Sequence, residues 1–211
     1  MGRSTAVTRK TNSRRKLKRP PRKSTPIGAQ SDKRGRLPGD LPLSALVERM
    51  IRVDHAGEFG AVRIYEGQLR VLGNAKASPV IRHMAAQERE HLKAFERLMI
   101  ARGARPSALL PLWRIAGYAL GAGTAMLGPE AAMACTVAVE EVIDDHYARQ
   151  VEQLGSDEPE LARAFARFRA EERAHRATAL AHGAEQAPAY APLAAAIRAG
   201  ARAAIWLSER I

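Results

Sequence analysis

Six residues of this 211-residue chain have the types and spacing to hold metal ions. Glu88 and His91 stand three residues apart, and Glu172 and His175 repeat that arrangement. On a helix, residues at i and i+3 project from one face. His91 continues to Phe95 and Leu98 at i+4 and i+7, and Glu172 follows Phe165 and Phe168, so both pairs face apolar neighbours. Glu58 shares a face with Val62, Tyr65 and Leu69, and Glu140 with Val137, Asp144 and Tyr147. A carboxylate directed into a core needs a partner or a metal. One Glu-x-x-His pair is weak, because charged helices produce such pairs by chance. Here, however, the order is Glu, Glu-x-x-His, Glu, Glu-x-x-His. Glu140 follows Glu58 by 82 residues, while Glu172 follows Glu88 and His175 follows His91 by 84. Two helix pairs related by an approximate two-fold would bring all six groups to one centre.

The chemistry suits this composition. Four carboxylates neutralise two divalent cations, and oxygen ligands accept ferrous and ferric iron alike. Imidazoles favour iron over magnesium or calcium. The ligand plan is that of ferritin-like di-iron and di-manganese carboxylate proteins. The expectation is therefore two iron ions (Fe2+/Fe3+) per chain, used for oxygen chemistry. Tyr65 and Tyr147, each seven residues after a ligand Glu, are packed core tyrosines or hydrogen-bonding groups at the site. His55 is placed to orient Glu58. Asp54 and Asp144 are candidates for the histidine N–H groups. Glu90, Glu141 and Glu171 rotate off the ligand faces and read as surface groups or supports of the ligands.

The elements that must position these residues read as helices. They are expected at about 43–73, 78–102, 107–127, 129–154, 158–183 and 191–209, with Ser78 and Asp157 as helix caps. No stretch alternates with a period of two. The fold class is all-α: a ferritin-like four-helix bundle with additional apolar, membrane-associating helices. Residues 107–127 approach the length of a spanning helix. Pro111 and Arg114 interrupt them, which favours lying on one leaflet over crossing; a buried bundle helix is the alternative. In 190–211, Leu193, Ile197, Ala201 and Ile205 share a side, with Trp206 close by. Arg198 and Arg202 are placed to reach lipid headgroups.

The net charge of +12 belongs to the N-terminal segment. Residues 1–40 carry +11 and the remainder +1. The expected organisation is a disordered basic tail (1–40) and a helical domain (41–211). The tail lacks the apolar run of a secretory signal. A mitochondrial transit peptide is a weaker alternative, since Val7 and Leu17 are its only large aliphatics before Ile27. With no aromatic for base stacking, it argues against nucleic acid as a partner. Anionic lipid suits it better. Cys135 is the only cysteine and sits in an apolar run, as a buried, inert thiol does.

Longer motifs carry a family resemblance. Ile51-Arg-Val-Asp-His-Ala-Gly-Glu58, Arg63-Ile-Tyr65, Pro111-Leu-Trp113, Ala119-Leu-Gly-Ala-Gly-Thr124, Ala134-Cys-Thr-Val-Ala-Val-Glu-Glu141, Ala187-Pro-Ala-Tyr-Ala191 and Leu207-Ser-Glu-Arg210 resemble the demethoxyubiquinone hydroxylases of ubiquinone biosynthesis. The resemblance covers 46–211. It implies iron ligands at Glu58, Glu88, His91, Glu140, Glu172 and His175, with Glu88 and Glu172 bridging. It implies O2-dependent hydroxylation of a polyprenylated methoxy-benzoquinol (demethoxyubiquinol), and contact with other proteins of that route. The implied location is peripheral, on the cytoplasmic side of the bacterial inner membrane, or alternatively on the matrix side of the mitochondrial inner membrane. No flavin or nicotinamide fingerprint is present, so no organic cofactor site is expected. Two readings compete: a ferritin-like ferroxidase or iron-storage subunit, and a non-enzymatic lipid-binding scaffold.

Overall fold

The computed structural model describes residues 1–2 and 39–211. The basic tail expected at 1–40 lies almost wholly outside the described residues. Six α-helices follow: α1 (Leu43–Leu72), α2 (Ser78–Arg102), α3 (Leu110–Met126), α4 (Pro129–Leu154), α5 (Pro159–Ala181) and α6 (Tyr190–Ser208). A single 3-10 turn, Ala184–Gln186, precedes α6. Among the described residues there is no strand.

Proline and glycine set most of the limits. Pro79, Pro129 and Pro159 occupy first-turn positions of α2, α4 and α5, where a missing N–H costs nothing. Gly103 closes α2 at φ 68°, its N–H donating to Met99 O. Two expected caps are corrected. Ser78 is the first residue of α2 rather than its cap, and Ala77 and Glu158 hold the cap positions of α2 and α5, neither with a side-chain cap bond. In both cases the proline that follows sets the start.

Helices α1, α2, α4 and α5 form the bundle. Their buried faces make two apolar clusters. One gathers Tyr65, Ile81, Met84, Met133, Val137 and Ala179; the other gathers Val47, Ile51, Phe95, Tyr147, Phe165 and Phe168. Phe95, Phe165 and Phe168 meet with centroids 5.1–5.9 Å apart. Each such buried ring contributes roughly 1.5–3 kcal/mol by leaving water. The clusters hold between them the polar residues described below.

Helices α3 and α6 flank this bundle. α3 lies along α1, and α6 lies along α4. The α1–α3 contact is backbone to backbone. A Cβ on Gly121 would fall 1.9 Å from Ile64 O, and one on Gly67 would fall 2.3 Å from Tyr118 O. Small residues permit such an approach. The outer face of α3 keeps Ile115 (71% exposed) and Met126 (76%) in the open. No helix among the described residues is long and apolar enough to cross a membrane. The Trp113 indole N–H donates to Ser208 Oγ at 3.0 Å, tying the start of α3 to the end of α6. Arg198 does not reach outward as expected. It pairs with Glu141 at 2.9 Å, as does Arg176, so one carboxylate joins α4, α5 and α6.

The glycine contact yields a paired test. Gly121→Ala must push backbone against backbone and is expected to destabilise the protein by about 1–3 kcal/mol. Gly123→Ala, whose Cβ would meet nothing within 4 Å, is expected to stabilise α3 by about 0.5–1 kcal/mol. Denaturant unfolding of both variants reads the opposite signs.

Candidate metal centre

Each bundle helix brings one part of the site. α1 contributes Glu58, α2 Glu88 and His91, α4 Glu140, and α5 Glu172 and His175; all six are buried. They form two overlapping groups whose ligand atoms lie within 4.8 Å of one another: Glu58, Glu88, His91 and Glu172 in one, and Glu88, Glu140, Glu172 and His175 in the other. Glu88 and Glu172 belong to both, the position a bridging carboxylate requires.

The histidines point Nδ1 inward. His91 Nδ1 lies 3.0 Å from Glu172 and 3.6 Å from Glu58. His175 Nδ1 lies 2.9 Å from Glu88 and 3.1 Å from Glu172. Glu140 Oε2 is buried with no hydrogen-bond partner, while Glu88 Oε1 has His175 Nδ1 and Glu172 Oε1 has His91 Nδ1 within ion-pair distance but out of hydrogen-bond alignment. Buried polar atoms are normally satisfied, and one left unmade costs roughly 1–3 kcal/mol. Carboxylates and imidazoles whose ligand atoms converge within 4.8 Å, with one buried oxygen unpartnered and others poorly aligned, fit a divalent cation.

Protonation follows the same crowding. Burial pushes Glu58 and Glu140 well above the usual carboxylate range, and the neighbouring carboxylates add to it. Burial also acts on Glu88, but the facing imidazoles of His175 and His91 outweigh it and hold it at about 2. For both histidines burial works against protonation. Glu172, Glu58 and Glu88 overcome it and raise His91 far above the ordinary imidazole value; Glu172 and Glu88 bring His175 up to about 9.

The two tyrosines cross between the halves. Tyr147 O–H, on α4, donates to Glu58 of α1 at 2.8 Å; Tyr65 O–H, on α1, reaches Glu140 of α4 at 3.5 Å. Burial raises both phenols well above their usual range, so they remain donors. The histidine supports cross in the same way. His91 Nε2 meets Glu171 of α5 at 2.6 Å, and His175 Nε2 meets Gln87 of α2 at 3.1 Å. Each support immediately precedes the Glu of the opposite Glu-x-x-His motif.

Several expectations about supporting residues are corrected. Asp54 serves neither ligand histidine: its Oδ1 is 3.0 Å from His146 Nε2 and accepts from Gln150 at 2.8 Å. Asp144 faces outward and pairs with Arg169. His55 makes no hydrogen bond to Glu58, and its buried Nδ1 has no partner. Glu90, read from the sequence as a surface or supporting group, is indeed exposed, beside Lys93. Gln87, His146 and Gln150 were not singled out by spacing. Gln87 sits one residue off the ligand face, where periodicity does not look, and His146 and Gln150 form an i, i+4 pair lacking any acid of their own. Burial holds the Cys135 thiol up at about 12, as an inert core thiol requires.

Beside the centre lies one large apolar cavity of about 530 Å³, between α1, α3, α4 and α6. Its walls include Ile64, Trp113, Leu120, Leu193 and Ile197, and its polar lining includes Glu58, Asp54, His146 and Tyr147. Of the six candidate ligands Glu58 alone lines it; Glu88, His91, Glu140, Glu172 and His175 do not, nor does Tyr65. The cavity thus meets the centre on the Glu58 side. Its size is within the ~300–1,000 Å³ that drug-sized ligands occupy.

Comparison with known proteins agrees with this arrangement. The family model described as ubiquinone biosynthesis protein COQ7 matches residues 45–208. The 3-demethoxyubiquinol 3-hydroxylase of Rhodospirillum rubrum is 57% identical over 177 residues, covering 83% of this chain and 84% of the relative. The human protein named NADPH-dependent 3-demethoxyubiquinone 3-hydroxylase, mitochondrial, is 54% identical over 171 residues, 79% of each chain. The Saccharomyces cerevisiae protein named 5-demethoxyubiquinone hydroxylase, mitochondrial, is 41% identical over 185 residues, covering 80% and 79%. The chain belongs to the COQ7 family.

Metal uptake should be coupled to proton release. Burial biases Glu58 and Glu140 toward their protonated forms, the surrounding carboxylates bias His91 and His175 the same way, and a cation would have to displace those protons. Affinity for a divalent metal is therefore expected to rise with pH through neutrality, and to stop gaining from His175 above about pH 9. Calorimetric titrations in buffers of different ionisation enthalpy measure the protons released. A pH-independent affinity would contradict this account.

Proposed function

We propose that this member of the COQ7 family is a di-iron monooxygenase that hydroxylates the ring of a polyprenylated demethoxyubiquinol with O2. The observation that carries the reading is the meeting of two features: a buried set of four glutamates and two histidines, and an apolar cavity that opens onto Glu58. The family's named activities supply the substrate class.

Glu58, Glu88, His91, Glu140, Glu172 and His175 would hold two irons, with Glu88 and Glu172 shared between them. A bound pair would supply O2 activation for a reaction in which one oxygen atom enters the ring and the other leaves as water, with two electrons and two protons drawn from the reductant and solvent. The chain's own residues do the rest. The apolar walls exclude water and accept the ring with the first part of its isoprenoid tail. Tyr147 holds Glu58 by a donated hydrogen bond, which fixes the carboxylate between cavity and centre. His146, set by Asp54 and Gln150, presents an imidazole at the cavity wall, where it can accept a ring hydroxyl proton or bond a ring oxygen.

The assay is O2-dependent hydroxylation of a demethoxyubiquinol by purified, iron-loaded protein. A nicotinamide nucleotide is the reductant to supply, because several relatives are named NADPH-dependent. No turnover with reduced quinol present, alongside rapid iron oxidation and storage, would favour the ferroxidase reading. Ala201→Phe fills the cavity wall. It is expected to raise KM for the prenylated quinol at least about tenfold while iron stays at two per chain.

We further take residues 41–211 as the catalytic domain and 1–40 as a basic tail. The domain would sit peripherally on the inner face of the bacterial cell membrane, where the substrate resides. Support comes from the exposed Ile115, Met126, Leu127 and Trp206 on α3, α6 and the residue after α3. Ile115→Glu with Met126→Glu is expected to lower co-sedimentation with anionic phospholipid vesicles several-fold and to leave iron content unchanged.

A further inference from the structure

The sequence repeat suggests two equal metal positions, but the structure supports their histidines unequally. His91 Nε2 faces a carboxylate, Glu171, at 2.6 Å, whereas His175 Nε2 faces an amide oxygen, Gln87, at 3.1 Å. In both rings Nδ1 points at the carboxylate cluster, so Nε2 carries the proton once a metal is bound. His91 then donates to a charged acceptor and His175 to a neutral one.

Charge-assisted hydrogen bonds are shorter and about twice as strong as neutral ones. The stronger pull on the Nε2 proton leaves more electron density on Nδ1, and a negative charge behind the ring favours the more highly charged metal. The Glu171 side chain is 39% exposed, so water attenuates its field without abolishing it. The second asymmetry coincides with the first. Glu58, grouped with His91, lines the apolar cavity; Glu140, grouped with His175, does not.

We propose that Glu171 makes the two iron positions electronically unequal, so that the position bound by His91, on the cavity side, holds the ferric state more firmly than the position bound by His175. Glu171 acts through His91 and is a positioning residue. The inference rests on the di-iron reading above.

The test is a potentiometric titration of iron-loaded protein, following the mixed-valent pair by electron paramagnetic resonance. Wild type is expected to show two separated one-electron steps. Glu171→Gln, which keeps shape and removes charge, is expected to make the ferric state about tenfold less favoured in the lower-potential step only, a shift of about +59 mV for a one-electron couple. Gln87→Glu should lower the other step and narrow the separation. Equal shifts of both steps in Glu171→Gln, no shift, or a loss of both irons from that variant would overturn the proposal. A wild type that binds no iron would instead remove the di-iron reading on which it stands.

Discussion

Four carboxylates sharing one buried layer are the constraint on which the rest of the structure depends. Ionised and unpaired, each would cost several kcal/mol in lost solvation, and each repels the other three. The bundle must therefore offer them positive charge, and everything near the layer answers that need. The two imidazoles turn Nδ1 inward. The two phenols, held protonated by burial, donate to the carboxylates least served by histidine. Apolar clusters seal the layer above and below, which strengthens every remaining electrostatic interaction. Burial raises the proton affinity of Glu58 and Glu140, so binding of a cation would be linked to proton loss.

Much of this was legible in the sequence because a buried ligand leaves a periodic trace. Glu58 and Glu140 interrupt apolar faces, and the paired Glu-x-x-His motifs recur at constant offset. The helix count and type follow from the same period, and prolines mark the starts. What was not legible lies one step away from any helix's own face. Gln87 and Glu171 are adjacent to ligands in sequence but serve the histidine of the opposite helix. Tyr65 and Tyr147 also serve the opposite half. Asp54 looked like a support for a ligand histidine and instead binds His146 and Gln150. Periodicity reports which way a side chain points, and cannot report which neighbour stands there.

The flanking helices explain how a symmetric ligand plan becomes a directional site. α3 and α6 cover α1 and α4, and they lean on the core by different means: bare backbone contact for α3, an ion pair through Glu141 for α6. Between them they leave a cavity rather than a packed core. The Trp113–Ser208 bond joins them at one end and fixes the width of that cavity. Under the proposed function a prenyl tail would lie there, and the glycine seam sets α3 against α1 with no bulky side chain between the helices.

The direction of the cavity then gives meaning to the unequal histidine supports. Under the proposed function a substrate ring entering from the α3–α6 side would meet Glu58 and Tyr147 first, while Tyr65, bonded toward Glu140, packs against Met84, Met133 and Val137 away from the cavity. If two metals are held here as proposed, the one grouped with Glu58 would lie nearer a ring in the cavity than the other. A fold built from duplicated motifs must break its own symmetry to distinguish the two positions. Here the break takes two forms on the same side: an opening onto Glu58, and a charged residue, Glu171, where the other half has Gln87. A single carboxylate-for-amide difference is the smallest change that can separate two otherwise matched positions.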